Sequence, residues 1–99
     1  MDTGTEIIWR EEAREDLRDV LHFLSRSSLR YVQEWGELLD NKLSLLVRFP
    51  EMGRIVPEKS VKHLREIQVG RYRVLYIFLN DVITIIAIRH SASDISKLQ

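Results

Sequence analysis

No cysteine occurs among the 99 residues, so neither a disulfide framework nor a thiolate metal site can form, and packing alone must hold the fold. Glycine and proline are scarce, at four and two residues, which leaves no room for linker-like or low-complexity segments. No apolar run reaches the ~18 residues that a membrane span requires. The opening residues MDTGTE are acidic and lack the basic-then-apolar order of a signal peptide, so a cytoplasmic protein is expected. Lys+Arg and Asp+Glu number 15 each, and a chain without excess positive charge is not expected to bind DNA directly to any extent. Three scattered histidines show no ligand spacing and the glycines form no phosphate-cradling loop; neither a metal nor a cofactor is expected.

What is present reads as one ordinary globule, 44% hydrophobic and 30% charged. A chain of this size buries roughly 60 to 65% of its unfolded surface. The zero net charge hides a modest polarity. Residues 1–49 hold seven Lys+Arg against ten Asp+Glu (7 − 10 = −3), and residues 50–99 hold eight against five (8 − 5 = +3). Solvated faces or a localised anion-binding patch in the second half both account for that difference.

EIIWR (6–10) is a short β-prone run, and the acidic EEAREDL behind it suits a helix start, where carboxylates meet unsatisfied amides and the positive end of the dipole. Helix one is expected from Glu11, with Ala13, Leu17, Val20, Leu21 and Leu24 on one stripe and Ser25–Ser28 ending it and capping the next. Helix two runs from about Leu29 to Phe49 with Leu29, Val32, Trp35, Leu39, Leu43 and Leu46 on its stripe, and the short connection makes an antiparallel helical hairpin. Pro50 stops it, and PEMGRIVPEK is expected as a surface loop carrying Arg54. Three strand-like segments follow, at about 64–69, 71–79 and 82–90, divided by Gly70 and by an Asn80-Asp81 turn. The expected class is α+β: an N-terminal strand, a helical hairpin, then a three-stranded antiparallel meander packed on the helices.

Strand parity selects the candidate site. With Asn80 and Asp81 as the two loop residues, Arg73 faces Ile88 and Arg71 faces His90, so Arg71, Arg73 and His90 share one face with Glu66 and Gln68. Tyr72, Val74, Tyr76, Phe78, Ile83, Ile85 and Ala87 then form the opposite face, on which the helices rest. Two readings of the polar face stand. It is a cross-strand Glu66–Arg73 ion pair, or Arg73 holds a phosphate or carboxylate while His90 moves a proton. Arg65 and Arg89 share the core parity near strand ends, where long side chains pair structurally or snorkel. His22 reads as a boundary residue of helix one, and His63 as a residue that can line a cleft with Arg54 and Lys62.

The element order, together with AREDL opening helix one, FPEMGR after helix two, the LRE…GRYRVLY strand pair and a last strand closing on Arg-His, resembles the RelE/ParE superfamily of toxins from type II toxin–antitoxin modules. The resemblance spans residues 6–94 as a single domain and leaves 1–5 and 95–99 as expected flexible tails. It implies a small cytoplasmic toxin neutralised by a cognate antitoxin whose C-terminal segment wraps it, with operator binding left mainly to that antitoxin. Two activities share this fold. RelE-like members are ribosome-dependent endoribonucleases that cut mRNA, and the resemblance then makes Arg73, His90 and Arg65 the catalytic set. ParE-like members poison DNA gyrase. For either branch the residue pattern gives Arg54, His63, Arg71 and Arg73 as the expected target- or phosphate-binding residues. Arg73 matches a strand arginine of both branches and His90 a histidine of the ParE-like branch. The tail SASDISKLQ supplies neither the C-terminal Arg or Tyr of a RelE-type site nor the arginines that often follow the ParE-like histidine, although Asp94 remains. The ParE-like branch is the nearer one, and a degenerate member that only binds antitoxin is the third expectation.

Overall fold

The computed structural model describes residues 4–57 and 60–92. In chain order the elements are β1 (Glu6–Trp9), α1 (Glu11–Ser25), α2 (Leu29–Arg48), β2 (Arg54–Ile55), β3 (Leu64–Val69), β4 (Tyr72–Leu79) and β5 (Val82–His90). The expected boundaries of both helices hold to within one residue. Glu11 and Glu12 occupy the first turn of α1, and Ser28 caps α2 by accepting from the Arg30 N–H at 3.0 Å. Of the expected tails, residues 1–3 and 95–99 lie outside the described residues, as does Asp94, whereas Thr5 is buried.

The strands form a single five-stranded sheet in the order β1-β5-β4-β3-β2. Its centre is the expected meander. Two additions correct the expectation at the edges: β1 pairs parallel with β5, Glu6 beside Val82 through Trp9 beside Ile85, and Arg54–Ile55 leave the expected loop to pair antiparallel with Glu66 and Arg65. Both turns of the meander need left-handed backbone. Asn80 (φ 53°) and Asp81 (φ 62°) supply it at one end, and Gly70 (φ 59°) at the other, so β4 starts at Tyr72 instead of 71.

β5 contains a bulge that the expected register lacks. From Leu79–Val82 to Tyr76–Ile85 the pairing is as expected, but Leu75 then pairs with Ala87, leaving Ile86 as the extra residue. Beyond it every residue of β5 changes face relative to β4. Arg73 therefore opposes Arg89, and His90 opposes Tyr72.

Two cores result. Against the helices lie Ile67, Val69, Tyr72, Val74, Tyr76, Ile83, Ile85 and Ile88, covered by Ala13, Val20, Trp35, Leu39 and Leu46. On the reverse face Leu64, Leu75, Ile77, Ile86 and Ala87 are covered by Val56 and Val61 from the β2–β3 connection. Ala87 thus belongs to the reverse face, a second correction that follows from the bulge. Past the end of β1, α1 closes the edge of β5: Asp16 Oδ2 accepts from the Ile88 N–H at 2.9 Å and from Arg89 Nη1 at 2.8 Å. That contact consumes an edge donor that would otherwise be open to another chain. Among the described residues, no helix is long and apolar enough to cross a membrane.

Candidate functional site

The expected site residues fall into three places. On the reverse face, Glu66 Oε2 accepts from Arg54 Nε at 2.9 Å and Nη2 at 2.7 Å, and its Oε1 lies 3.6 Å from Arg73 Nη1. The side chains of Glu66 and Arg73 keep only 11% and 13% of their exposure. Two guanidiniums therefore share one carboxylate in a largely desolvated position, where the cross-strand ion pair expected from the sequence is present. Arg73 also reaches the His90 carbonyl at 3.5 Å. The Arg73 guanidinium is thus largely buried and does not face open solvent.

The second place lies on the helix side. Tyr76 is fully buried, and its hydroxyl donates to the Pro50 carbonyl at 2.7 Å while accepting from the Gly53 N–H at 2.9 Å. Arg65, projecting beside it, donates to the carbonyls of Glu51 (3.0 Å) and Gly53 (2.8 Å). FPEMGR is thus a loop pinned to the sheet by one phenol and one guanidinium. Burial pushes the Tyr76 phenol above its ordinary value of 10.0, against the smaller lowering effects of the Gly53 hydrogen bond and the Arg65 charge. The folded state binds this proton more tightly than the unfolded chain, so its contribution is complete below pH ~10 and is lost as pH rises above it. Unfolding midpoints measured between pH 8 and 11 should fall at the alkaline end, and a Tyr76→Phe chain should lose that dependence.

The third place is a groove of about 860 Å³ between the tip of the helical hairpin and the β3–β4 turn. Phe23, Tyr31, Trp35 and Leu38 wall it from the helices, and Arg71 and His90 stand at its sheet end. Trp35 Nε1 donates to the Val69 carbonyl at 3.0 Å, and edge-on ring contacts run from Trp35 to Tyr72 (5.6 Å) and from Tyr72 to His90 (5.4 Å). A Cβ added at Gly70 would meet the Trp35 ring at 3.1 Å, so this turn is fitted to the indole as well as requiring positive φ. His90 Nδ1 accepts from the Ala92 N–H at 3.2 Å, and Ser91 N–H and Oγ both donate to the Arg71 carbonyl at 2.8 Å.

Arg71 and His90 line the same groove, although by another register than the sequence parity predicts: the bulge sets His90 opposite Tyr72 and leaves Arg71 in the Gly70 turn, while Arg73 is separated from the His90 ring by the sheet. That separation corrects the expected convergence of Arg73 and His90, and its cause is the additional residue in β5. His63 sits exposed in the turn before β3 with φ 62°. Its side chain makes no hydrogen bond or ion pair among the described residues. Sequence reasoning missed Asp16 and the Tyr76 hydroxyl. Nothing local marks Asp16 among the other acids of α1, and Tyr76 reads simply as an apolar core position. Among the described residues, no group of three or more His, Asp or Glu is disposed to hold a metal ion.

This arrangement, two helices on a meander extended at both edges, is a fold found in solved toxin–antitoxin complexes. A chain of the RelBE2 toxin–antitoxin complex from Mycobacterium tuberculosis is similar with a TM-score of 0.61 at 20% identity, covering 87% of this chain and 96% of that one. A chain of the chromosomal ParDE system from P. aeruginosa is similar with a TM-score of 0.63 at 16% identity, covering 91% and 98%. Among curated proteins, none matches. Residues 7–95 match the family model described as the ParE toxin of type II toxin–antitoxin systems, and the chain belongs to that family. It is the toxin component of such a system.

Proposed function

We propose that this toxin arrests growth by binding and inhibiting DNA gyrase, in the ParE-like manner, and not by cutting RNA. The observation that carries the reading is the position of the arginines relative to His90. Cleavage through a 2′-hydroxyl needs cationic groups on the scissile phosphate and an acid/base group beside them, held within hydrogen-bond reach of one another's substrate atoms. Here Arg73 and Arg54 are engaged by Glu66, and Arg65 is engaged by two backbone carbonyls. The His90 ring meanwhile stacks edge-on against Tyr72 on the helix side. Inhibition by binding requires no such constellation.

The test uses the purified chain in two assays. With gyrase and relaxed plasmid, supercoiling should be inhibited and cleaved DNA should accumulate. With programmed ribosomes, mRNA should stay intact. Rapid mRNA cleavage with gyrase unaffected would replace this reading with the ribosome-dependent endoribonuclease, and no effect in either assay, with normal growth on expression, would indicate a degenerate member.

A further inference from the structure

The two edges of the sheet are finished differently. Asp16 of α1 covers the β5 edge past the end of β1, whereas among the described residues no strand lies beyond β2. In the β2–β3 ladder the Val56 N–H donates to the Leu64 carbonyl, which makes Val56–Leu64 and Arg54–Glu66 the hydrogen-bonded pairs. The N–H and C=O of Ile55, between them, therefore point outward. The Ile55 side chain shares the helix side of the sheet with Arg65 and is 63% exposed, and the end of α2 and the loop behind it expose Leu45 (40%), Phe49 (54%) and Met52 (39%). We propose that this edge is a self-association surface. Two copies of the chain pair β2 with β2 antiparallel about a twofold axis at Ile55, with Leu45, Phe49 and Met52 of both copies closing over the seam. The inference goes beyond the gyrase reading and does not depend on it.

Three observations select a second copy over another partner. The first is how little backbone the edge offers. The Gly53 N–H is taken by the Tyr76 hydroxyl and its carbonyl by Arg65, and Pro57 has no N–H, so only Ile55 can exchange hydrogen bonds with a neighbouring strand. A long extended peptide, which binds a sheet edge through a ladder of main-chain bonds, gains no more here than one short strand does. A copy of Ile55 across a twofold axis satisfies both outward groups at once, as an isologous contact requires. The second is charge. Arg54 is held by Glu66 at 2.7 Å and Arg65 lies 4.0 Å from Glu51, so the flanking charges are paired within the chain. An acidic or basic partner finds little to complement, and an identical surface meets little like-charge repulsion. The third is that the axis stands perpendicular to the sheet and leaves both helical layers on the same side. The apolar ends of the two α2 helices then flank the seam. With large side chains presenting about 200 Å² each, the four exposed fractions amount to roughly 400 Å² per copy. Two such patches and the strand backbones bury about 1,000 Å² in total, the lower limit of a specific interface, which fits a weak dimer.

The test is sedimentation equilibrium of the full-length chain, produced in a cell-free system, paired with amide hydrogen exchange at low and high protein concentration. A monomer–dimer equilibrium with Kd on the order of 10 µM is expected for an interface of this size. The Ile55 amide should exchange more slowly as the dimer fills, because it gains a partner only there. Ile55→Lys, which sets two like charges on the axis, should weaken association at least 10-fold. Leu29→Ser, at an exposed apolar position at the other end of α2, should associate like the unaltered chain. If Ile55→Lys shifts the unfolding midpoint, Phe49→Ser takes its place with the same expected loss. A chain that stays monomeric up to several hundred micromolar overturns the proposal. So does a dimer that Ile55→Lys (or Phe49→Ser) leaves within twofold, or one in which the Ile55 amide exchanges at the same rate at both concentrations. Ile55 protection that appears only when the antitoxin is added would give the edge to that partner and overturn the proposal as well.

Discussion

Replacing Gly53 by alanine should destabilise the toxin by about 2 to 3 kcal/mol, the upper part of the range for forcing a methyl group into a filled core. The added Cβ would sit 2.5 Å from the Tyr76 hydroxyl, 2.7 Å from its Cε1 and 2.9 Å from the Glu66 carbonyl. One obstacle is a fully buried ring and the other is the backbone of β3, so neither yields cheaply. Any displacement also breaks the hydrogen bond from the Gly53 N–H to the phenol. Tyr76→Phe alone should lose about 1 to 3 kcal/mol, because the Pro50 carbonyl and the Gly53 N–H both lose a partner. The double variant should be less destabilised than the sum, since Phe removes the atom nearest the new methyl. Denaturant titrations of the four chains measure that coupling, and strict additivity would contradict the packing described.

Glu66→Ala should lose about 2 kcal/mol. Removing one partner from a buried ion pair generally costs about 3 to 5 kcal/mol because the remaining charge stays desolvated. Here the 3.6 Å separation and the residual solvent access of both side chains reduce that figure, and the Arg54 contribution is small because its side chain is 66% exposed. Replacing both charges, with Glu66→Leu and Arg73→Met, should recover most of the loss. A double variant less stable than Glu66→Ala would show that the Arg73 guanidinium contributes to the fold by some route other than this pair.

The elements were legible in the sequence because their signals are local. The acids of the first turn of α1, Ser28 as a cap, and Asn80-Asp81 as a turn each act within a few residues of their position. The strand edges were less legible. Arg54–Ile55 is two residues long and forms a strand only because β3 presents an unpaired edge beside it. The bulge left no trace at all. In VITIIAIRH the odd-numbered Ile83, Ile85 and Ala87 and the even-numbered Val82, Ile86 and Ile88 are apolar alike, and between Thr84 and Arg89 no polar residue fixes the register. A strand able to bury either face permits the inserted Ile86, and the insertion reversed the inference drawn for its end. The candidate site changes accordingly: Glu66 meets Arg73 as the parity predicts, whereas Arg71 and His90 meet at the turn by a different register, and the residues that the parity puts on one surface occupy two.

Proton–proton distances report that reversal directly. In a nuclear Overhauser spectrum of the folded toxin, the His90 ring protons should show cross-peaks to the Tyr72 ring, and the Arg73 side chain should show them to Glu66 and Gln68. Cross-peaks from the His90 ring to the Arg73 side-chain methylenes, with none to Tyr72, would place imidazole and guanidinium on one face and contradict the account.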